Sequence, residues 1–243
     1  MTKSETHSSD VGSAWCIAPL GDCAMIIEFG QRVDPDVSAR VRAVAQNLLL
    51  THLPGVTDVV PAFTTVALHY RPESFGGRSP YEALRRQVEA LLAQGIAAQK
   101  TAARLIEVPV CYGGEMGPDL EAVAEASKLT PDEVVALHAA SRHVVYMLGF
   151  APGFPYLGGL DPRLAVPRRS TPRTVVPAGS VAIARDQSVI YSMETPGGWN
   201  LIGRTPMRLF HPTAQPPCLL QPGDKVRFVP ISAEEYRALE IHE

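Results

Sequence analysis

The sequence predicts two domains of different class: an α+β domain over residues 1–106 and a mainly-β domain over residues 107–243. The first observation is a change in turn-forming residues, because residues 1–106 contain 6 prolines and 7 glycines whereas residues 107–243 contain 16 and 12. The second is a change in periodicity, from alternating strand-like and helical runs to short β-branched runs between Gly/Pro turns. The length of 243 residues is itself typical of two domains.

The N-terminal half begins with strands and a helix. About the first 12 residues are polar and predict a disordered lead-in. The run "AWCIAPLGDCAMIIEF" predicts a strand pair or a bent strand, with "LGD" as its turn. In "DPDVSARVRAVAQNLLLTHL", an aspartate cap, a first-turn proline and apolar residues at helical spacing predict a helix.

The rest of this half completes an α+β pattern. "VTDVVPAFTTVALHY" is broken near Pro61 and predicts two adjacent strands. "SPYEALRRQVEALLAQG" predicts a second helix between Ser79 as N-cap and Gly95 as C-cap. The order β-α-β-β-α fits a ferredoxin-like, split βαβ unit that the strand "ARLIEVPV" closes. Nothing in this half has a catalytic pattern, which favours a scaffold or docking domain.

The C-terminal half opens with one strand and two short helices, "GPDLEAVAEASKL" and "TPDEVVALHAAS". Thr130 and Glu133 have the spacing of a capping box. After Arg142 the helical period ends, and short β-branched runs separated by Gly/Pro turns predict a β-sandwich or a barrel. The charged "SAEEYRALEIHE" predicts a short terminal helix.

Composition and charge exclude several classes of function. A formal net charge of −3 gives no electrostatic basis for binding nucleic acid or an anionic membrane, and no apolar run is long enough to cross a bilayer. The N-terminus lacks the apolar core of a signal peptide, so we expect a cytoplasmic protein. The four cysteines are scattered without a C-x-x-C pair, which predicts core residues rather than a zinc site.

The expected binding site lies in two Gly/Pro-rich loops, "GFAPGFPYLGGLDPRLAVPRRSTPRTVVPAGS" and "ETPGGWNLIGRTP". Glycine lets a backbone approach a ligand closely, and proline stiffens that approach. The loops also carry flat apolar side chains and guanidinium groups: Phe150, Phe154, Tyr156, Trp199, Arg163, Arg168, Arg169, Arg173 and Arg204. Together these features predict a pocket for a small anionic or amide ligand. The alternative is that the loops only close a barrel and the arginines lie on its surface.

Common phosphate-binding and hydrolase motifs are absent from the sequence. The sequence contains no G-x-x-x-x-G-K-[ST], G-x-G-x-x-G, H-E-x-x-H or G-x-S-x-G pattern. Ser180 in "AGSVA" superficially suggests an amidase serine but lacks the elbow pattern. His138 lies at the apolar spacing of its helix, which favours a core or interface histidine over a catalytic one.

Residues 107–230 contain longer blocks in a fixed order: GF-x-PGFPYL, PRR-x-x-PR, PAGSVAIA, the tyrosine of "VIY", PGGWNLIGRTP and LLQPGDKVRF. With these blocks the sequence closely resembles the family of 5-oxoprolinase B subunits, also described as KipI-like or allophanate hydrolase subunit 1. The resemblance covers nearly all of residues 107–230, and the N-terminal half has the family's α/β layout in weaker detail.

The resemblance implies a small α/β domain followed by a cyclophilin-like β-barrel. It also implies a heteromeric complex with a C subunit, which carries a second related barrel, and with an A subunit. Such complexes hydrolyse 5-oxo-L-proline to L-glutamate with ATP, and the B and C subunits resemble the two halves of the carboxyltransferase region of urea carboxylase. The chain would then be a hydrolase subunit that is inactive alone, with ATP and Mg²⁺ bound by it or by a partner.

The family's motif loops carry the expected site residues. Those expected to bind substrate are Pro152, Gly153, Phe154, Tyr156, Arg168, Arg169, Ser180, Gly197, Gly198, Trp199 and Thr205. The catalytic candidates are Arg204, Arg173 and His138, of which the two arginines are expected to bind anionic groups. The same loops contain Gly179, Tyr191 and Pro196. We identify no general base in the sequence and expect no metal ligands.

Three other functions remain as alternatives. The first is a KipI-like regulatory protein that inhibits a sensor histidine kinase. The second is an allophanate hydrolase or urea carboxylase-type carboxyltransferase component. The third, a peptidyl-prolyl isomerase, rests on fold analogy alone.

Overall fold

The computed structural model describes residues 15–76, 79–95 and 103–240. The chain divides into two compact units, residues 1–99 and residues 100–243. The sequence predicted the boundary at residues 106 and 107, which lie inside a strand of the second unit, Leu105–Tyr112. The predicted disordered lead-in falls outside the described residues.

The N-terminal unit is a four-stranded antiparallel sheet with two helices. The strands are β1 (Cys16–Pro19), β2 (Ala24–Glu28), β3 (Val56–Pro61) and β4 (Thr65–Tyr70), in the order β1-β2-β4-β3. The helices are α1 (Pro35–Thr51) and α2 (Pro80–Ala93), with a short 3₁₀ turn at Pro72–Ser74. Side-chain oxygens of Asp34 and Ser79 accept hydrogen bonds from first-turn N–H groups, which explains where both helices begin.

The core of this unit consists of one apolar face from each helix and one face of the sheet. Of the α1 residues at helical spacing, Val41, Val44 and Leu48 are buried, and so are alternate residues of β2 and β4. The resulting cluster includes Met25, Ile27, Val41, Leu48, Val66, Leu68, Leu84 and Val88.

The C-terminal unit is built on a closed seven-stranded barrel in the order β10-β7-β6-β13-β5-β12-β9. Its strands are β5 (Leu105–Tyr112), β6 (His143–Leu148), β7 (Pro155–Gly158), β9 (Ser180–Ala184), β10 (Gln187–Ile190), β12 (Asn200–Arg204) and β13 (Lys225–Pro230). A separate two-stranded sheet pairs β8 (Arg173–Val176) with β11 (Thr195–Gly197). The helices are α3 (Leu120–Ser127), α4 (Pro131–Ala140) and α5 (Ala233–Glu240), and a 3₁₀ turn spans Pro162–Leu164.

The structure corrects one strand of the sequence prediction. "ARLIEVPV" was expected to close the N-terminal sheet, but it forms β5, which pairs in parallel with β13 and antiparallel with β12. Strand β1 instead lies at the edge of the sheet, beside β2. Strand β4 lies between β2 and β3, and α1 connects those two strands. For the second half the sequence predicted either a β-sandwich or a barrel, and the structure has the barrel.

The β9 strand shows how the barrel separates two apolar clusters. Val181 and Ile183 pack in the main core with residues of α3 and α4, whereas Ala182 and Ala184 belong to a second cluster with Tyr191 and Trp199. Alternate residues of a strand point to opposite faces, so the second cluster lies on the other face of the barrel wall. None of the helices in the described part of the chain has both the length and the apolar character needed to span a membrane.

Candidate functional site

A small open pocket of about 130 Å³ lies at the second apolar cluster. Most of its lining is aromatic or backbone. The lining residues are Phe150, Phe154, Tyr156, Arg168, Tyr191, Pro196, Gly197, Gly198 and Trp199. The pocket is therefore formed by the loop before β7, the segment before β8, the end of β10 and the β11–β12 turn.

The loop between β6 and β7 contains one buried and one exposed phenylalanine. The N–H groups of Phe154 and Gly149 donate to the carbonyls of Ala151 and Phe154, at 3.1 Å in both cases, which closes the loop. Phe154 is buried, whereas Phe150 is 65% exposed and has a left-handed φ of 70°. A non-glycine residue is rarely found in that backbone region, so the loop holds an exposed aromatic ring in a strained conformation at the pocket.

Aromatic rings contact one another along the pocket wall. The Phe154 ring meets the Tyr191 ring edge-on at a centroid distance of 5.1 Å, and the Tyr156 ring lies 5.2 Å away on another side. The Tyr156 and Trp199 rings are 6.2 Å apart. This wall provides flat apolar faces around a small volume, which suits a planar ring or amide group.

Arg168 supplies the positive charge of the pocket. Its guanidinium carbon lies 4.9 Å from the centroid of the Trp199 ring, a cation–π geometry. Burial raises the pKa of the Tyr156 and Tyr191 phenols, and the positive charge of Arg168 opposes that rise at both hydroxyls. Among the described residues, no carboxylate forms an ion pair with Arg168.

Close packing around Tyr191 explains a glycine in the pocket wall. Burial raises the pKa of the Tyr191 phenol to about 12, while a hydrogen bond from the Trp199 backbone N–H works in the opposite direction. A Cβ atom on Gly197 would lie 2.1 Å from the Tyr191 hydroxyl oxygen, far inside van der Waals contact. Gly197 therefore has no room for a side chain beside this hydroxyl.

A buried carboxylate binds two arginines that follow Arg168 in the chain. Asp119 is 3% exposed and accepts hydrogen bonds from Arg169 Nη1 at 2.6 Å and from both terminal nitrogens of Arg173 at 2.8 Å. The Leu201 backbone N–H donates to the same carboxylate at 2.7 Å. The two guanidinium groups thus share one carboxylate, and neither arginine lines the pocket.

Sequence reasoning did not identify Asp119 as a site residue. The run "GPDLEAVAEASKL" was predicted only as a helix, and Asp119 occupies the N-cap position of α3. However, its carboxylate makes no capping hydrogen bond and instead binds side chains 50 and 54 residues further along the chain. No local pattern indicates partners at that separation.

Two further candidates from the sequence lie outside the pocket lining. Arg204 is half-buried at the end of β12, where its Nε donates to the Ala178 carbonyl at 2.8 Å. Ser180 is buried at the start of β9. The described histidines of the C-terminal unit, His138, His143 and His211, hydrogen-bond to groups other than the Ser180 hydroxyl.

His138 lies in the main barrel core. Its Nδ1 is 2.8 Å from the Tyr112 hydroxyl, its Nε2 is 3.2 Å from the Ser188 hydroxyl, and its ring stacks on Phe228. Burial, followed by the nearby His143, lowers the pKa of His138 well below its ordinary value. This environment is that of a neutral histidine satisfied within a core.

The structure brings only part of the predicted set together. The predicted substrate-binding residues that line the pocket are Phe154, Tyr156, Arg168, Gly197, Gly198 and Trp199. The predicted residues that do not line it are Pro152, Gly153, Arg169, Ser180, Thr205, Arg173, Arg204 and His138. Some of the latter shape loops: Gly153 has a φ of 71° and packs against Phe210, and the Thr205 hydroxyl accepts a hydrogen bond from the Met207 N–H.

Comparison with known proteins identifies relatives along most of the chain. The family model "Carboxyltransferase domain, subdomain C and D" matches residues 15–220. The B subunit of 5-oxoprolinase from Bacillus subtilis (strain 168) is 47% identical over 228 residues, which cover 91% of this chain and 95% of that protein.

Two of the solved structures with a similar fold are longer chains. TTHA0988 matches with a TM-score of 0.75 and 37% identity, over 86% of this chain and 40% of that chain. The urea carboxylase of Kluyveromyces lactis matches with a TM-score of 0.76 over 95% of this chain and 23% of that chain. At 20% identity, the second match shows similarity of fold alone. The match of the family model and the 47% identity along nearly the whole length of both chains lead to one conclusion: the chain belongs to the family of 5-oxoprolinase B subunits.

Proposed function

We propose that this chain is the B subunit of an ATP-dependent 5-oxoprolinase, which hydrolyses 5-oxo-L-proline to L-glutamate together with partner proteins. The observation that carries the proposal is the 47% identity to a protein named as the B subunit of 5-oxoprolinase, over 91% of this chain. The pocket supports it, because a volume of about 130 Å³ with aromatic walls suits one small ring.

The pocket has groups that bind a ligand but no group that would act as a base. The phenol pKa values of Tyr156 and Tyr191 are raised, so neither accepts a proton near neutral pH, and Arg168 is permanently cationic. Opening a lactam also requires activation of water and of the amide. We therefore assign binding and orientation of the ring to this chain, and the remaining catalytic groups to its partners, which makes the chain inactive alone.

ATP with Mg²⁺ does not fit this pocket. A triphosphate is bound by several cationic side chains or backbone N–H groups, whereas the lining includes one guanidinium. The two glycines at 113 and 114 are not followed by the lysine of a phosphate-binding loop. We place the nucleotide on a partner protein and assign no phosphoryl-transfer step to residues of this chain.

The proposal extends to fold type, partners and location. We assign the barrel to the cyclophilin-like type and the N-terminal unit to the ferredoxin-like type, because strand β4 lies between β2 and β3, which α1 connects. The expected partners are the C subunit of 5-oxoprolinase, with a second related barrel, and the A subunit. We also propose a cytoplasmic location.

Release of L-glutamate tests the proposal. The chain would be co-purified with the A and C subunits and incubated with 5-oxo-L-proline, with and without ATP. We expect ATP-dependent glutamate from the full complex and none from this chain alone. Allophanate and urea serve as competing substrates in parallel reactions. A well-formed complex that releases no glutamate would contradict the proposal, and turnover of allophanate or urea would favour the carboxyltransferase-type alternative.

A further inference from the structure

The loops around the pocket carry several arginines, but the structure distinguishes them by their partners. Arg169 and Arg173 both donate to the buried Asp119 carboxylate at 2.6 and 2.8 Å. Both guanidinium groups are held by the same buried carboxylate, and neither lines the pocket. Arg204 lies outside the lining, with its Nε bonded to the Ala178 carbonyl. Arg168 is the arginine that lines the pocket, and none of the described carboxylates pairs with it.

From this geometry we propose that Arg168 binds the single carboxylate of a small cyclic amide whose ring occupies the aromatic pocket. The ligand's identity as 5-oxo-L-proline rests on the proposed function. Its chemical class rests on the pocket itself: aromatic faces for a flat ring, and one guanidinium for one carboxylate. A guanidinium presents two parallel N–H donors to a carboxylate, which gives both charge and direction.

The Trp199 ring and the Asp119 contacts together hold Arg168 in place. The guanidinium lies over the Trp199 ring at 4.9 Å, so its plane is supported from one side. The next residue, Arg169, donates its backbone N–H to the Gly198 carbonyl at 2.9 Å and its side chain to Asp119. Asp119 is thus a positioning residue, because it acts on the ligand through the segment that carries Arg168.

The charge balance of the pocket selects for one carboxylate rather than two or none. A neutral lactam cannot form the charge-assisted hydrogen bonds that a carboxylate forms with the guanidinium. A second carboxylate would face the phenols and rings of Tyr156, Tyr191 and Phe154, which offer it no cation. The pocket therefore separates a monocarboxylate ring from its uncharged and dianionic analogues.

Calorimetric titration tests this inference on the full-length chain and on its complex with the partner proteins. The probes are 5-oxo-L-proline and its uncharged isostere 5-oxo-L-prolinamide. We expect the parent protein to bind the carboxylate form more tightly by about 10- to 100-fold, the range for a hydrogen bond to a charged group. Arg168→Gln should lose this preference while binding the amide as the parent does. Arg142→Gln, which changes an exposed arginine outside the pocket, should keep the preference.

Each outcome of the titration has a defined meaning. Equal binding of the two probes by the parent, an equal loss for both in Arg168→Gln, or no binding to either the chain or the complex would overturn the inference. Selective binding without glutamate release by the complex would leave the inference in place and remove the proposed function. Glutamate release by the complex, together with an unchanged affinity of Arg168→Gln for 5-oxo-L-proline, would overturn the inference and leave the proposed function in place.

Discussion

The Asp119 carboxylate binds the Arg173 guanidinium through two hydrogen bonds of 2.8 Å, in a site where Asp119 is almost fully buried. This pair joins the start of α3 to β8, which lie far apart in the sequence. It also removes Arg173 from the set of cations available to a ligand. The chemistry of the pocket thus depends on a carboxylate that does not line it.

Substitution Asp119→Ala should strongly destabilise the C-terminal unit. It would leave Arg173, Arg169 and the Leu201 N–H without their buried acceptor, and loss of one partner of a buried ion pair typically costs about 3–5 kcal/mol. Urea unfolding of parent and variant measures the difference. Glu107→Gln is the matched control, because Glu107 pairs with Arg227 at the exposed surface, where a salt bridge contributes about 1 kcal/mol or less. Similar losses in both variants would contradict the role of Asp119.

The exposed Phe150 should matter for binding more than for folding. Phe150→Gly removes a left-handed strain but adds flexibility to the unfolded chain, so we expect stability within about 1 kcal/mol of the parent. The ligand should bind roughly fivefold or more weakly, since about 1 kcal/mol of apolar contact is lost. Phe154→Ala, at a buried ring of the same loop, should instead destabilise the protein by about 3–5 kcal/mol. Unfolding and ligand titration of both variants test this prediction. A Phe150→Gly variant that lost stability but kept its affinity for the ligand would contradict it.

The two adjacent glycines at the end of β11, Gly197 and Gly198, should respond differently to a methyl group. Gly197→Ala places a Cβ 2.1 Å from the Tyr191 hydroxyl, so the Tyr191 ring must move and the pocket should lose affinity. At Gly198 the nearest atom is in the Pro172 ring at 3.5 Å, an ordinary contact, so Gly198→Ala should keep the fold and its stability. Thermal unfolding and ligand titration compare the pair. Equal tolerance at both positions would be inconsistent with the described packing.

The buried histidines predict a loss of stability in mild acid. Burial lowers the pKa of His143 to about 4, and burial with the nearby His143 also lowers that of His138. Below the ordinary histidine pKa of about 6.5, the unfolded chain takes up protons that the folded chain does not, so stability falls as pH falls. For His143 the slope approaches about 1.4 kcal/mol per pH unit between roughly pH 6.5 and 4, and His138 adds to it in the same direction. Urea unfolding across this range measures it.

A variant separates these histidines from other titrating groups. His143→Gln removes one of the two, so the slope of stability against pH should fall by about 1.4 kcal/mol per unit relative to the parent. An unchanged slope would mean that His143 is not held neutral in the folded protein.

Local signals in the sequence predicted much of the fold. Caps at Asp34 and Ser79 and the capping box of Thr130 and Glu133 are formed as expected, because they depend on residues three or fewer positions apart. The pairing of "ARLIEVPV" was wrong, since a strand's own residues do not specify which distant strand it joins. For this reason the barrel closure by β5 and β13 could not be deduced from periodicity.

The residues of the candidate site were likewise predictable only in part. The aromatic and glycine residues at the pocket were identifiable because their loops are unusually rich in glycine, proline and rings. The roles of the arginines were not, since sequence cannot distinguish Arg168, over the Trp199 ring, from Arg169, which binds Asp119. That distinction depends on partners tens of residues away.

One kinetic measurement tests the central claim directly: glutamate release over a range of 5-oxo-L-proline concentrations by the ATP-supplied complex that contains either the parent chain or Arg168→Gln. We predict ATP-dependent release with the parent, and a KM raised by about tenfold or more in the variant, since a charge-assisted contact to the substrate is lost. No glutamate from the parent complex, or an unchanged KM in the variant, would contradict the account.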